Sequence, residues 1–132
     1  MTKSSAGDGW VLVGDALGFI DPVYSSGVYF ALEMGIRAGD AVVEGLRKND
    51  LSAQQLGCWC ESFKEGAQWI RKLVHAFYTK EFSVGRFMKE HPEHLGNVTD
   101  LLIGRIFNEG AGQVFNDMDA SIERAKMQAA EK

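Results

Sequence analysis

Cysteine and proline are scarce in this 132-residue chain, at two each. The cysteines, Cys58 and Cys60, are separated by one residue. A metal finger needs about four ligands, often as two paired sets. On a helix these two thiols stand about 200° apart, out of disulfide reach. Two reduced helical thiols, one of them buried, are expected. A basic excess is also missing: net charge is −4, and the acidic surplus sits in residues 1–24 and 109–132. Nucleic acid and anionic membrane are therefore poor partners, since both require clustered Lys/Arg. No apolar run approaches the ~20 residues that span a bilayer, and the first ten residues lack the apolar core of a signal peptide. A soluble, cytoplasmic protein is expected. With 45% apolar and 24% charged residues, the composition is that of an ordinary globular domain.

Trp10-Val11-Leu12-Val13 is a short β-rich run closed by Gly14-Asp15. Four consecutive apolar residues suggest a strand buried on both faces, yet nothing else in the chain reads as its partner. Residues 14–27 mix turn-formers with Phe19, Ile20, Val23 and Tyr24. A loop this apolar is packed under something or wrapped around a ligand. From Ser26 the period becomes helical, with Val28, Leu32, Gly35/Gly39, Val42 and Leu46 on one face and Glu33/Arg37 and Glu44/Lys48 as i,i+4 pairs on another. Ser25 or Ser26 is the expected N-cap, and the helix should end near Lys48-Asn49.

Ser52-Ala-Gln-Gln55 is a capping-box pattern. It should open a long helix running to about Lys80, with Leu56, Cys60, Phe63, Ala67, Ile70, Val74 and Phe77 inward. A short helix over 83–90 should stop before Pro92. Another, capped by Asn97 or Thr99, should reach Phe107. A last one should follow Gly110–Gly112, fraying over residues 128–132. His91 and His94 (H-P-E-H) suggest a metal pair, but Pro92 prevents regular helical presentation and no third ligand is evident. A surface turn is the expectation, with no metal site and no catalytic residue assigned. Met34, Met88, Met118 and the downstream aromatics are most simply core.

Chemistry concentrates in residues 8–36, DGWVLVGDALGFIDPVYSSGVYFALEMGI. A strand delivers Gly14-Asp15 to its carboxyl end, where ligands of α/β sheets tend to sit. Asp15 offers acceptors for a sugar-like hydroxyl. Gly14 and Gly18 let backbone pass close to a ligand. Pro22 stiffens the loop, and Ser25-Ser26-Gly27 opens a helix whose free N–H groups favour an anion or electron-rich carbonyl. These parts suit a polyhydroxylated, partly anionic cofactor.

The segment resembles the second flavin-binding motif of para-hydroxybenzoate-hydroxylase-type FAD oxidoreductases. Within them it is similar to the branch of flavin-dependent halogenases and geranylgeranyl-reductase-like enzymes, which read G-D-A-x-G-F-x-D-P-x-x-S-x-G-V. Gly14, Asp15, Ala16, Gly18, Phe19, Asp21, Pro22, Ser25, Gly27 and Val28 match. The resemblance implies that Asp15 accepts a hydrogen bond from the ribityl-pyrophosphate portion of FAD. Pro22 and Ser25–Gly27 would line the flavin edge, and the amides of Gly27 and Val28 would face the pyrimidine carbonyl. Ser26-Gly27 also corresponds to the turn where halogenases bind halide.

Departures from the family are equally informative. These enzymes begin with G-x-G-x-x-G, which seats the FAD pyrophosphate, and this chain has no such pattern. The expectation is a C-terminal fragment of an FAD-dependent oxidoreductase of monooxygenase, halogenase or reductase type. Residues 1–27 would hold the last strand and second flavin loop of an incomplete FAD domain, and 28–132 a helical region. The expected fold is mainly α, four or five helices with one or two short N-terminal strands left over from an absent FAD-binding sheet. Expected partners are the missing N-terminal FAD-binding domain, a small-molecule substrate, and a second copy joined through residues 9–14. FAD binding by the isolated chain should be weak or absent. The competing expectation is a non-enzymatic helical interaction or oligomerisation module.

Overall fold

The computed structural model describes residues 4–19, 27–107 and 109–131. Among them the fold is mainly α. Five helices have seven or more residues: α1 (Gly27–Lys48), α3 (Cys60–Tyr78), α4 (Val84–Glu90), α5 (Leu95–Leu102) and α6 (Val114–Ala130). A single helical turn, α2 (Ala53–Leu56), precedes α3, and strands β1 (Ala6–Gly7) and β2 (Trp10–Val11) form an antiparallel hairpin. No helix among the described residues is long and apolar enough to cross a membrane. The chain divides into two compact units, Met1–Gly66 and Ala67–Lys132.

In the first unit the hairpin corrects the expectation of a doubly buried strand at residues 10–13. Asp8-Gly9 turns the chain back, with Gly9 at φ +82°, so Ala6 pairs with Val11 and Gly7 with Trp10. Trp10 is 46% exposed and Val13 is also exposed. Asp-Gly between two runs is a hairpin signal. It was masked here because Ala6-Gly7 has no β propensity of its own.

α1 ends where expected and keeps both ion pairs, Arg37–Glu33 at 2.8 Å and Lys48–Glu44 at 2.9 Å; its expected cap, Ser25 or Ser26, lies outside the described residues. It buries the other apolar stripe, however: Phe30, Met34, Ala38, Ala41 and Gly45 face inward, while Val28 is 73% and Leu32 65% exposed. Small residues decide this. A Cβ on Gly45 would lie 2.6 Å from the Asp50 carbonyl oxygen, so the chain returning from α1 packs against that face. The helix stops in a Schellman arrangement. Asn49 takes a left-handed φ of 54°, and Asn49 and Asp50 donate their N–H groups to Leu46 and Gly45.

Ser52 caps α2, accepting the Gln55 N–H at 3.3 Å. The expected continuous helix to Lys80 is broken by a turn at Gly57–Trp59, where the glycine weakens helix and Trp59 turns inward to donate its indole N–H to the Leu56 carbonyl. Trp59 and Phe30 both meet Phe63 edge-on, at 6.0 and 6.1 Å between ring centres. Cys60 is buried and Cys58 exposed, both as free thiols.

The second unit contains the later part of α3, whose inward residues include Leu73 and Ala76; Phe77, expected inside, is exposed. Trp69 stacks on Phe115 of α6 at 5.6 Å. α4 matches expectation, with Ser83 accepting the Arg86 N–H. α5 begins earlier and ends earlier than expected. Its stop is a second Schellman arrangement, with Gly104 at φ +86° and Arg105 donating to Asp100. Asn97 and Thr99 therefore lie inside α5, not at its cap. α6 continues to Ala130, past the point where fraying was expected.

Candidate functional site

Of the residues singled out for cofactor contact, Gly14, Asp15, Gly18, Gly27 and Val28 are described; Pro22, Ser25 and Ser26 lie outside the described residues. Gly14 opens a 3₁₀ turn over Gly14–Ala16 with φ +58°. An L side chain rarely adopts that backbone, so the motif's first glycine is required by geometry. Its carbonyl accepts the N–H groups of Leu17 and Gly18 at 3.0 and 3.2 Å, and Leu17 is fully buried beneath the turn. Its own N–H points to the Met34 sulfur at 3.2 Å. That contact ties the turn to the second turn of α1.

The consequence is a small cleft of ≈ 60 Å³ lined by Gly14, Asp15, Gly18, Phe19, Gly27, Phe30 and Met34. Loop and helix start, far apart in pattern, thus share one wall. Asp15 and Phe19 are exposed at it, and no atom of the described residues lies within 4 Å of where a Cβ on Gly27 would stand. The cleft is too small to enclose a cofactor ring, since small-molecule pockets run to roughly 300–1,000 Å³. It offers an edge: one carboxylate, a tight turn and the first residue of α1. Val28 projects outward, beyond the cleft lining.

A larger groove, ≈ 800 Å³, lies in the second unit between α4 and α6, with Phe82, Arg86, Phe87, Glu90, His91 and Arg124 among its lining. No motif residue lines it. Beside it is a cluster that sequence reasoning undervalued. The 3₁₀ turn Pro92–His94 brings Glu93 to His91, Nδ1 to Oε1 at 3.1 Å. His94 Nε2 meets Asp117 Oδ2 of α6 at 2.8 Å. That hydrogen bond holds the Asp117 carboxyl below the usual carboxylate range. Only the tertiary fold reveals the Asp117 contact, 23 residues away.

No family model matches the chain, and no solved structure does so. Curated proteins do. The chain is 32% identical over 92% of its length to a 1H-pyrrole-2-carbonyl-(peptidyl-carrier protein) brominase of Pseudoalteromonas luteoviolacea, covering 30% of that protein. It is 27% identical over 88% of its length to the corresponding chlorinase of Pseudomonas fluorescens, covering 26% of it. Against a digeranylgeranylglycerophospholipid reductase of Methanocaldococcus jannaschii it is 36% identical over 44% of its length, 15% of the reductase. The chain thus spans less than a third of the relatives it matches. FAD use is a property of the full-length family. By descent as well as by its motif, the chain is a relative of the flavin-dependent halogenases and geranylgeranyl reductases, within the FAD-dependent oxidoreductases.

Proposed function

We propose that this chain is the C-terminal part of an FAD-dependent oxidoreductase of halogenase, monooxygenase or reductase type, and that residues 14–28 supply its second flavin contact. The observation that carries this reading is the shared wall of the Gly14–Ala16 turn and the start of α1, with Asp15 and Gly27 lining one cleft. Asp15 accepts a hydrogen bond from a hydroxyl of the ribityl-pyrophosphate chain. The amides of Gly27 and Val28 face the electron-rich carbonyl edge of the isoalloxazine, a role suited to a helix's unsatisfied first N–H groups. Bound flavin supplies the redox chemistry, and the protein positions and shields it. Residues 1–27 belong to the FAD domain and 28–132 to a helical region. The rest of the FAD domain, with its G-x-G-x-x-G, is the principal partner, and the substrate is a small molecule.

Flavin titration tests this. The 132-residue chain should bind FAD weakly or not at all, because the pyrophosphate and adenine contacts lie elsewhere. The reading frame extended upstream should encode G-x-G-x-x-G and bind FAD tightly. Asp15→Asn in that longer protein should weaken binding. Tight FAD binding by the short chain, or an upstream stop directly before Met1, would overturn the reading.

A second reading is favoured by one observation: Val28, Leu32, Ile36, Val43 and Leu46 leave an apolar face of α1 exposed. A non-enzymatic module would use that face, or the exposed Trp10 and Val13 at residues 9–14, to join a second copy. Sedimentation equilibrium tests for the second copy, reporting twice the 14.6 kDa chain mass for a dimer, and the upstream reading frame separates this reading from the first.

A further inference from the structure

We propose that His91, Glu93 and His94 form a binding site for a divalent transition metal of the zinc type. One ring nitrogen from each histidine and one carboxylate oxygen of Glu93 lie within 4.8 Å of one another. Donors sharing one zinc at about 2.0–2.1 Å stand roughly 3.4 Å apart in tetrahedral geometry. Modest side-chain rotation closes the difference. Glu93 is exposed and His91 half-buried, so both are free to make it. Two imidazoles and a carboxylate suit zinc, and they leave a fourth position for water.

The surroundings orient the donors. Phe87, itself buried, stacks against the His91 ring at 4.7 Å and lies nearly parallel to the His94 ring at 6.0 Å. Both imidazoles are thereby held against one apolar plate. Pro92 stiffens the turn between them. A carboxylate only accepts, so His94 donates from Nε2 to Asp117, which leaves the Nδ1 lone pair for a metal in place of the hydrogen bond from Asn97 Nδ2 that it accepts at 3.3 Å. Carboxylate, imidazole and metal in that sequence is the usual outer-shell arrangement, in which the carboxylate fixes tautomer and ring direction. A bound ion would fasten the end of α4 to the start of α5 and, through Asp117, to α6.

The test uses the 132-residue chain freed of metal with a chelator, then titrated with Zn²⁺ and, for its visible absorption, Co²⁺. One equivalent should bind saturably, and Zn²⁺ should raise the melting temperature. His91→Ala and Glu93→Gln should each weaken binding at least about tenfold and abolish the melting shift, and Asp117→Asn should weaken it about ten- to a hundredfold. Circular dichroism establishes that each variant folds; Glu93→Gln, at an exposed position, keeps the question open to test if His91→Ala does not. Cys58→Ser and His75→Gln should leave binding unchanged. The proposal is overturned by absence of saturable binding, by binding that Glu93→Gln and His91→Ala both retain, or by loss of binding with Cys58→Ser.

Discussion

The Asp8 carboxylate accepts the backbone N–H of Ala53 at 2.9 Å, so a residue in the hairpin turn caps a helix 45 positions later. Gly9 adds a second tie from the same turn, donating its N–H to the Leu51 carbonyl. Helix starts leave their first N–H groups without intrahelical partners. The single turn α2 satisfies its own with Asp8 from outside and Ser52 from within. The two-residue strands are too short to be stable alone. Their attachment to α2 is what gives the segment before Gly14 a fixed position.

Asp8→Ala should therefore destabilise the first unit by about 1 kcal/mol, the usual cost of a lost cap. Urea unfolding followed by Trp59 emission measures it. Hydrogen exchange at the Ala53 and Gly9 amides should accelerate ahead of the α3 amides.

Asp50 carries a pH dependence. Its carboxylate accepts the Ser52 N–H at 3.0 Å, and the hydrogen bonds from Ser52 hold its carboxyl below the usual range. The unfolded chain then takes up this proton at higher pH than the folded one does. The stabilisation is complete above the ordinary aspartate pKa of about 3.9 and is lost as pH falls through the lower folded value. Asp50→Asn should flatten that acidic limb in a series of melts and leave the slope at neutral pH unchanged.

Gly112 is fixed by contact. A Cβ there would lie 2.6 Å from the Trp69 ring, which is already stacked on Phe115 with the Lys72 ammonium 5.6 Å from its centre. Gly112→Ala should cost about 1–3 kcal/mol through overpacking. Trp69 emission should shift in the folded variant, distinguishing displacement of the indole from general unfolding.

Cys58 and Cys60 should separate by reactivity. Cys58 is exposed in the turn, whereas burial pushes the Cys60 thiol up, and the thiolate is the reactive form. Brief alkylation at mildly alkaline pH should label Cys58 and spare Cys60, as read by peptide mass. In urea both should react alike.

Much of this was legible in the residues. The C-terminal end of α1, both ends of α4, both α1 ion pairs, the Ser52 cap and the flavin-type motif follow from local rules of capping, charge spacing and turn chemistry. What escaped was decided by tertiary contact. α1 carries two apolar stripes, and periodicity alone favours the one with Val28 and Leu32. The buried stripe is the one that ends in Gly45, where the returning backbone passes too close for a side chain. The early stop of α5 was readable at Gly104 but outweighed by the apolar run Leu101–Ile103. At the candidate site, Asp15 and the glycines were legible as a motif. The sulfur contact from Met34 that fixes Gly14 was not, because it joins a loop to a helix 20 residues away.

The uncharged face of α1 also makes the chain's behaviour depend on solvent composition. An α-helix of 22 residues is about 33 Å long, and Val28, Leu32, Ile36, Val43 and Leu46 occupy most of that length without an intervening charge. Contact through such a face has little Coulombic part for sodium chloride to screen. It responds instead to whatever changes the cost of hydrating hydrocarbon. Sulfate strengthens it and cooling weakens it. If two copies pair through this face, a sample kept cold in moderate chloride should therefore stay dispersed, and the same sample warmed in ammonium sulfate should associate.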